Sequence, residues 1–300
     1  MTELKRILYL AYLITESNVK AYVQPMVLFA MLSIAAPGVT TNPNPSYEDL
    51  AIAFPRALLY VWLYVFYFDL SNQKDPSSVE EDKINKPWRA IPSGKLSIES
   101  AERWYRVASS LLLLASSTWL SGFPEAVVFM METWVYDYAS GASSFLGKNF
   151  INALFYMTGQ LGTTRVAAES MALTSMARAG FEWCGLLGLN MFTTIQIQDL
   201  RDQKGDRIKG RSTMPLAIGD GPARWVTAFF ILFWSIAFPT YWHRGLNLGH
   251  VLPILVGSIV SARILTRKSS KADRMSFHYY TLFWLPSLYA IPLLSQYRLS

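Results

Sequence analysis

Long apolar runs recur along almost the whole chain, and they constrain its fold more than any other feature of the sequence. A helix that crosses the roughly 30 Å hydrocarbon core of a bilayer needs about 20 predominantly apolar residues. About nine runs approach that length, and 52% of all residues are hydrophobic. They lie approximately at residues 21–37, 51–69, 104–121, 123–138, 148–164, 179–197, 223–241, 249–265 and 277–295. We therefore predict an all-α, multi-pass membrane bundle of about nine transmembrane helices, formed as one domain over residues 1–300.

The first 20 residues have a pattern of their own. They combine a basic start with a short apolar run, and no small-residue cleavage site follows. This pattern indicates an amphipathic lead helix over residues 1–20 that lies on the membrane surface, and it argues against a signal peptide.

Lysine and arginine are concentrated in the connections on one side of the predicted bundle. Five follow the second run, at Lys74, Lys83, Lys86, Arg89 and Lys95, and five follow the sixth, at Arg201, Lys204, Arg207, Lys209 and Arg211. Short cytoplasmic loops carry such an excess, so these connections are predicted to face the cytoplasm from the endoplasmic reticulum or another endomembrane. The net charge of +6 forms no continuous basic face, which argues against nucleic-acid binding. We expect the lipid bilayer as the surrounding medium and infer no obligatory protein partner.

Two groups of acidic residues lie in those same connections. The first contains Asp75, Glu80, Glu81 and Asp82 with Asn72 beside them, and the second contains Asp199, Asp202 and Asp206. Offsets of three, four and seven place the second group on one helical face, where like charges repel unless a cation compensates them. Hard oxygen ligands suit Mg²⁺, which in turn binds phosphate oxygens. The pattern predicts a magnesium site for a diphosphate in a central cavity that opens to the cytoplasmic side, with Gln198 close enough to touch diphosphate or metal-bound water.

A less specific explanation exists for part of each group. The second group can be a solvated helix end, and Ser77 with Glu80, or Ser78 with Glu81, can form a capping box that starts a short helix. Asp82 is harder to explain in this way, because Asn85 lies one turn away with Lys83 and Arg89 nearby.

The motifs around these acids resemble those of the UbiA superfamily of intramembrane prenyltransferases. The stretch DKINKPWRAIPSG at residues 82–94 resembles the family's D-x-x-N-x-P-x-R-P-I-P-S-G, and DLRDQKGD at 199–206, followed by KGRSTMP, resembles its second aspartate-rich motif. The resemblance implies nine helices with two cytoplasmic aspartate-rich segments. It implies metal ligands at Asn72, Asp82, Asp199, Asp202 and Asp206, and diphosphate-binding groups at Arg89, Lys209 and Arg211, with Lys83 beside them. Gln73 departs from the family pattern, so Asp75, Glu80 and Glu81 remain alternatives for the missing ligand.

The resemblance implies that Mg²⁺ and basic groups stabilise a leaving diphosphate while an allylic carbocation forms in a dry pocket. The sequence of the first motif most resembles that of the fungal UbiA-type membrane terpene cyclases. We therefore expect a Mg²⁺-dependent class I terpene cyclase acting on an isoprenoid diphosphate such as farnesyl diphosphate, with Asp82, Asp199 and Asp202 as its catalytic acids. The alternative is an intermolecular prenyltransferase that uses an aromatic or other acceptor, and a membrane transporter for an anionic solute is a remote third. Aromatic residues expected in or near the pocket are Phe66, Phe68, Trp88, Phe155, Tyr156, Phe192, Tyr279 and Tyr280, most of them in packing roles.

Overall fold

The computed structural model describes residues 2–41, 44–139, 141–171, 174–242 and 248–294, and every regular element in those ranges is helical. The helices are α1 (Glu3–Asn18), α2 (Gln24–Ala35), α3 (Tyr47–Gln73), α4 (Pro76–Asn85), α5 (Ile98–Thr118), α6 (Phe123–Asp137), α7 (Phe145–Glu169), α8 (Arg178–Thr194), α9 (Asp199–Ile208), α10 (Met214–Ile218), α11 (Asp220–Trp242), α12 (Leu248–Thr266), α13 (Ser270–Tyr279), α14 (Leu285–Tyr289) and α15 (Ile291–Leu294). A π-helical turn at Val19–Val23 joins α1 to α2, a second at Tyr280–Trp284 joins α13 to α14, and a 3₁₀ turn at Ile195–Gln198 joins α8 to α9. The predicted all-α class is confirmed.

The predicted apolar runs coincide largely with helices over the described residues; the ninth is described only to residue 294. Four helical stretches within the described part of the chain are long and apolar enough to cross a membrane, namely Glu3–Ala35, Tyr47–Gln73, Asp220–Trp242 and Gly249–Thr266. Polar residues reduce the apolar character of other runs, as Glu132 does in α6 and Gln160 in α7. The count of nine spans stays a prediction.

Serine side chains fix where several long helices begin. Ser46 forms a capping box with Asp49, because its Oγ accepts from the Asp49 backbone N–H at 3.1 Å while its own N–H donates to Asp49 Oδ2 at 2.8 Å. Ser97 and Ser144 cap α5 and α7 in the same way, each accepting a backbone N–H at 3.2 Å. Such caps satisfy N–H groups that the helix leaves unpaired, and each stabilises the fold by about 1 kcal/mol.

The lead segment is helical and continues into α2 through the π-helical turn. Leu4 and Leu8 are exposed, whereas Leu13 and Ile14 are buried in the bundle. The Gln73 side chain at the end of α3 donates to the carbonyl of Ile14 at 2.8 Å. This contact holds the end of α1 beside the end of α3; that the segment lies on a membrane surface stays a prediction.

Hydrogen bonds around one buried arginine connect the four helices α9, α11, α12 and α13. Arg224 on α11 donates through Nη1 and Nη2 to the two carboxylate oxygens of Asp273 on α13, at 2.7 and 2.8 Å. Its Nε donates to Asp220 at 2.8 Å, and Nη1 also donates to the carbonyl of Ile264 at 2.9 Å. Gln203 on α9 completes the network by donating to Asp220 at 2.8 Å. The position of α9 relative to α13 is therefore set by charge-assisted hydrogen bonds.

Candidate active site

A polar cavity of about 740 Å³ lies where several helix ends meet. The ends of α1, α3 and α6, the start of α7 and the junction of α8 with α9 all contribute to its wall. We call it the acidic cavity. Its charged lining residues are Asp69, Glu81, Asp82, Lys86, Arg89, Lys148, Asp199, Arg201, Asp202, Asp206 and Arg211. The two acidic segments of the sequence are thus brought together, as predicted.

Close packing of α4 against α9 makes this convergence possible. A Cβ atom at Gly205 would lie 2.1 Å from Asn85 Nδ2, so only glycine fits there without a shift. Asn85 also donates to the carbonyl of Asp202 at 3.3 Å. The glycine in the middle of the second motif therefore allows the first motif to approach it.

The second acidic segment forms helix α9, and all three of its aspartates line the acidic cavity. Lys148 Nζ lies 2.6 Å from Asp199 Oδ1, Arg211 Nη1 lies 3.6 Å from Asp206 Oδ1, and Arg201 Nε lies 3.3 Å from Asp202 Oδ2. The prediction that these aspartates share one helical face is confirmed.

The local charges act differently on the three carboxyl groups. Burial raises the pKa of Asp199 to about 6, against the opposing effect of Lys148. Burial also raises the pKa of Asp206. Burial acts to raise the pKa of Asp202, but the nearby cations Arg201, Lys86 and Lys148 outweigh it and the pKa is lowered. Two of the three aspartates therefore carry charge that nearby cations compensate only in part.

The first acidic segment contributes Glu81 and Asp82 from α4. Asp82 Oδ2 accepts from Arg89 Nη1 at 2.7 Å, and Arg89 Nη2 also lies 3.6 Å from Asp69 on α3. Glu81 accepts from Arg211 Nη1 at 3.0 Å, which links the first motif to the segment after α9. Arg89 and Arg211, both predicted to bind diphosphate, thus lie in the cavity and face carboxylates.

Other predicted residues occupy different positions. Asn72 lines the acidic cavity and donates to Asp137 at 3.0 Å, and Gln198 also lines it. Asp75 instead caps α4 by accepting the Ser78 backbone N–H at 3.0 Å, so the short helix begins at Pro76 and Asp75, not Ser77 or Ser78, is its cap. Glu80 is exposed and pairs with Lys83 at 2.6 Å, and neither lines the cavity. Lys209 lies beside Asp75 and Glu81, at 3.8 and 3.6 Å, but outside the cavity lining.

Several buried carboxylate oxygens of the cavity lack a hydrogen-bond donor. Asp69, Asp199 and Asp206 each have an Oδ2 atom without a partner among the described residues. In the part of the chain that the structure describes, no group of three Asp, Glu, His or Cys side chains lies close enough to hold a metal ion by itself. Mg²⁺ commonly takes only one or two carboxylates and completes its shell with water and substrate phosphate. The orphaned oxygens therefore fit a magnesium ion that arrives with a diphosphate.

An apolar cavity of about 480 Å³ adjoins the acidic one, and six residues line both. We call it the aromatic cavity, since rings form much of its wall: Tyr22, Phe68, Phe129, Phe155, Tyr156 and Phe277. The hydroxyl groups of Tyr22 and Tyr156 donate to backbone carbonyls at 2.5 Å. Their polar ends are satisfied by the protein, so the wall offers mainly hydrocarbon and ring surface. Of the aromatic residues expected at the pocket, Phe68, Phe155 and Tyr156 line it.

Sequence reasoning missed several residues around the acidic cavity, including two charged residues inside predicted spans. Lys148 begins an apolar run and Asp69 ends one, so each was counted within a span. Tyr136 lines the cavity near the end of α6, and its neighbour Asp137 accepts from Ser71 at 2.7 Å. A charged residue at the end of an apolar run, at the level where the motifs lie, is the signal that could have identified Asp69, Asp137 and Lys148.

Comparison with known proteins agrees with this geometry. The sequence matches the UbiA prenyltransferase family over residues 23–285. The chain belongs to this family. Its relatives include the polyprenyl transferase eriF of Hericium erinaceus, 34% identical over 231 residues that cover 74% of this chain and 75% of eriF. The diterpene cyclase eriG of the same organism is 30% identical over 233 residues, which cover 74% of this chain and 71% of eriG.

A solved structure of a UbiA homolog from Archaeoglobus fulgidus, bound to GPP and Mg²⁺, has the same fold. The TM-score is 0.60 at 13% sequence identity, and the match covers 94% of this chain and 99% of that chain. This UbiA member is thus an integral membrane protein with apolar helices, and its relatives include both a terpene cyclase and a prenyltransferase.

Proposed function

We propose that this UbiA protein is a Mg²⁺-dependent class I terpene cyclase. It ionises an isoprenoid diphosphate, cyclises the resulting carbocation and releases inorganic diphosphate. The observation that carries the proposal is the junction of the acidic cavity with the aromatic cavity through six shared residues. A diphosphate in the first cavity places the attached chain in the second. The proposed substrate is an isoprenoid diphosphate such as farnesyl diphosphate.

The acidic and the basic side chains of the cavity have different roles in binding. We assign metal binding to Asp82, Asp199, Asp202 and Asp206, with Glu81 and Asn72 in the same lining. Bound Mg²⁺ would supply positive charge against the diphosphate oxygens while the carbon–oxygen bond breaks.

The basic residues hold the charge that develops on the leaving group. Arg89 and Arg211 already lie in the cavity, where guanidinium groups can donate two parallel hydrogen bonds to phosphate oxygens. Gln198 lines both cavities, so its amide can contact the oxygen at the point where chain and diphosphate meet. Asp75, Lys83 and Lys209 would each have to leave their present contacts to reach a ligand there.

The aromatic wall favours cyclisation over transfer to an acceptor. Ring faces attract a cation by their quadrupole, and burial in a dry site strengthens that attraction. Phe68, Phe129 and Phe155 are packed edge to face or tilted, with ring centroids 5.1–6.5 Å apart. Such a wall can stabilise positive charge as it moves along a folding chain. The similarity to eriF favours the second candidate, an intermolecular prenyltransferase.

Product analysis separates the two candidates. Membranes containing the protein are incubated with Mg²⁺ and farnesyl or geranylgeranyl diphosphate, without an acceptor, and extracts are analysed by gas chromatography with mass spectrometry. A cyclic terpene that disappears with a chelator supports the cyclase. Absence of any cyclic product from both substrates refutes it and directs the test to aromatic acceptors.

Adjacent glutamates provide a matched pair of variants for the metal site. Glu81 lines the acidic cavity, whereas Glu80 is exposed and pairs with Lys83. Glu81→Gln is expected to lower turnover at least tenfold, since removal of a preorganised charged group commonly costs that much. Glu80→Gln should leave turnover unchanged, and equal effects of the two substitutions would contradict the assignment.

We also propose that the acidic cavity faces the cytoplasm in an endomembrane such as the endoplasmic reticulum. The basic connections around it support this orientation. Cys184 is buried, so a thiol introduced by Lys204→Cys at an exposed position of α9 can be labelled selectively. An impermeant maleimide is expected to label this thiol in sealed vesicles whose cytoplasmic side faces outward. If the thiol is protected in those vesicles, the proposed orientation is wrong.

A further inference from the structure

A second polar cavity, of about 530 Å³, lies between the end of α1 and α13. We call it the vestibule. Its lining includes the cations Lys20, Lys86, Arg201 and Arg274 and the carboxylates Glu16 and Asp202. Six of its residues also line the acidic cavity, Lys86 and Arg201 among them. The two cavities are therefore neighbours that share basic side chains.

The arginines of the vestibule are held in place by aromatic rings. The Arg274 guanidinium lies 5.0 Å from the ring centre of Trp88, and that of Arg201 lies 4.3 Å from the ring centre of Phe277. Trp88 in turn donates to Glu16 at 2.9 Å. Stacking orients a guanidinium without neutralising it. Arg201 also donates through Nε to Asp202 at 3.3 Å and Arg274 through Nη2 to the carbonyl of Asn85 at 3.4 Å, so the other N–H groups of both arginines stay available to an anion.

The two lysines add charge that the protein leaves without an ion pair. Neither Lys20 nor Lys86 lies within 4 Å of a carboxylate in the described ranges of the chain, although both line the vestibule. Lys20 is exposed and Lys86 is partly buried. A lysine partly withdrawn from water without a carboxylate partner favours the arrival of an anion.

The balance of charge differs between the two cavities. Six carboxylates and five cations line the acidic cavity, whereas two carboxylates and four cations line the vestibule. A diphosphate thus needs added metal to bind in the first cavity, but in the second it meets an excess of positive charge.

From this contrast we propose that the vestibule is a metal-independent binding site for the inorganic diphosphate released by the reaction. The proposal rests on the proposed function, which makes diphosphate the leaving group. Lys86 and Arg201 line both cavities and can remain in contact with the anion as it moves between them. Exposed Lys20 and Trp88 mark the outer end of this path.

Binding of inorganic diphosphate to the purified full-length protein in EDTA tests the proposal. Titration calorimetry is performed on the wild type and on Lys20→Gln/Arg274→Gln, whose two positions lie outside the lining of the acidic cavity. Lys271→Gln, an exposed site on the same helix α13, controls for charge. Arg211→Gln reports on the acidic cavity.

The wild type, Lys271→Gln and Arg211→Gln are expected to bind within about twofold of one another, and the double variant at least tenfold more weakly, as expected when charge-assisted hydrogen bonds are removed. If the double variant does not fold, the two single variants are tested, each with an expected loss of at least about threefold. The proposal is overturned if the wild type does not bind without metal, if the vestibule variants bind normally, or if Arg211→Gln loses affinity equally.

Geranyl diphosphate in EDTA distinguishes a site for the released anion from a site for the incoming substrate. A site for the released anion binds inorganic diphosphate at least as tightly as the prenyl ester, whereas tenfold tighter binding of the ester overturns the exit role. These readouts need no turnover. A protein that makes no terpene but binds diphosphate as described refutes the cyclase assignment and leaves the vestibule site intact.

Discussion

Replacing Lys148 by methionine tests the charge balance of the acidic cavity directly. Lys148 Nζ lies 2.6 Å from Asp199 Oδ1, and the two side chains are only 6% and 1% exposed. Removing one partner of a buried pair leaves an uncompensated charge, which costs about 3–5 kcal/mol. Methionine keeps most of the volume of the side chain, so the expected loss of stability is electrostatic.

Thermal unfolding of the purified protein in detergent with EDTA measures this effect. Lys148→Met is expected to unfold several degrees below the wild type, and Lys148→Met/Asp199→Asn is expected to recover most of the loss because no unpaired charge remains. Lys83→Met is the control, since its ion pair with Glu80 at 2.6 Å joins side chains that are 52% and 61% exposed, and such a pair contributes about 0–1 kcal/mol.

Mg²⁺ provides a second readout in the same assay. Because the metal can compensate Asp199 in place of the lost lysine, Mg²⁺ should raise the unfolding temperature of Lys148→Met by more than that of the wild type. The reasoning is refuted if Lys148→Met unfolds with the wild type, or if the Asp199→Asn change brings no recovery.

Three further predictions concern the same site. Asp75→Ala should cost about 0.5–2 kcal/mol of stability through loss of the α4 cap while turnover stays within a few-fold of the wild type; a hundredfold loss of product in the terpene assay would mean that Asp75 leaves the cap to bind metal. Gly205→Ala should displace the Asn85 side chain, break its hydrogen bond to the Asp202 carbonyl and lower both turnover and stability, the latter by about 1–3 kcal/mol. Gly185→Ala, where a Cβ meets nothing within 4 Å, should leave both unchanged, and thermal unfolding with product analysis compares the two. Chelation by EDTA should abolish terpene formation and added Mg²⁺ should restore it, whereas formation that persists in EDTA excludes the metal requirement.

The sequence could predict the features that depend on the spacing of residues within a single helix. The spacing of Asp199, Asp202 and Asp206 placed them on one face, and all three line the acidic cavity. Arg89 and Arg211, which the family motifs predicted as diphosphate-binding groups, both line the acidic cavity, and that role stays a prediction. The shared face of the three aspartates depends only on neighbours within two helical turns, so it can be predicted from the sequence alone.

The remaining features depend on how distant helices pack. Lys148 is 51 residues from Asp199, and no local pattern indicates that the start of α7 lies beside α9. Likewise, Glu80 and Glu81 are adjacent and chemically alike, yet only Glu81 lines the cavity, because the face that α4 turns inward depends on its packing against the distant helix α9. The number of transmembrane spans is uncertain from sequence for a related reason, since polar residues that the bundle buries lower the apolar signal of α6 and α7.

The Arg224 network has an evolutionary consequence. A buried guanidinium left without Asp273, or Asp273 left without the guanidinium, is costly, whereas joint replacement by apolar residues of similar volume is often neutral. Asp220 is 36% exposed, so its loss should cost less. Selection should therefore remove single substitutions at positions 224 and 273 and tolerate coordinated ones. Among descendants of a common ancestor, these two positions are expected to be inherited together or exchanged together, so a lineage with only one of the pair should be rare.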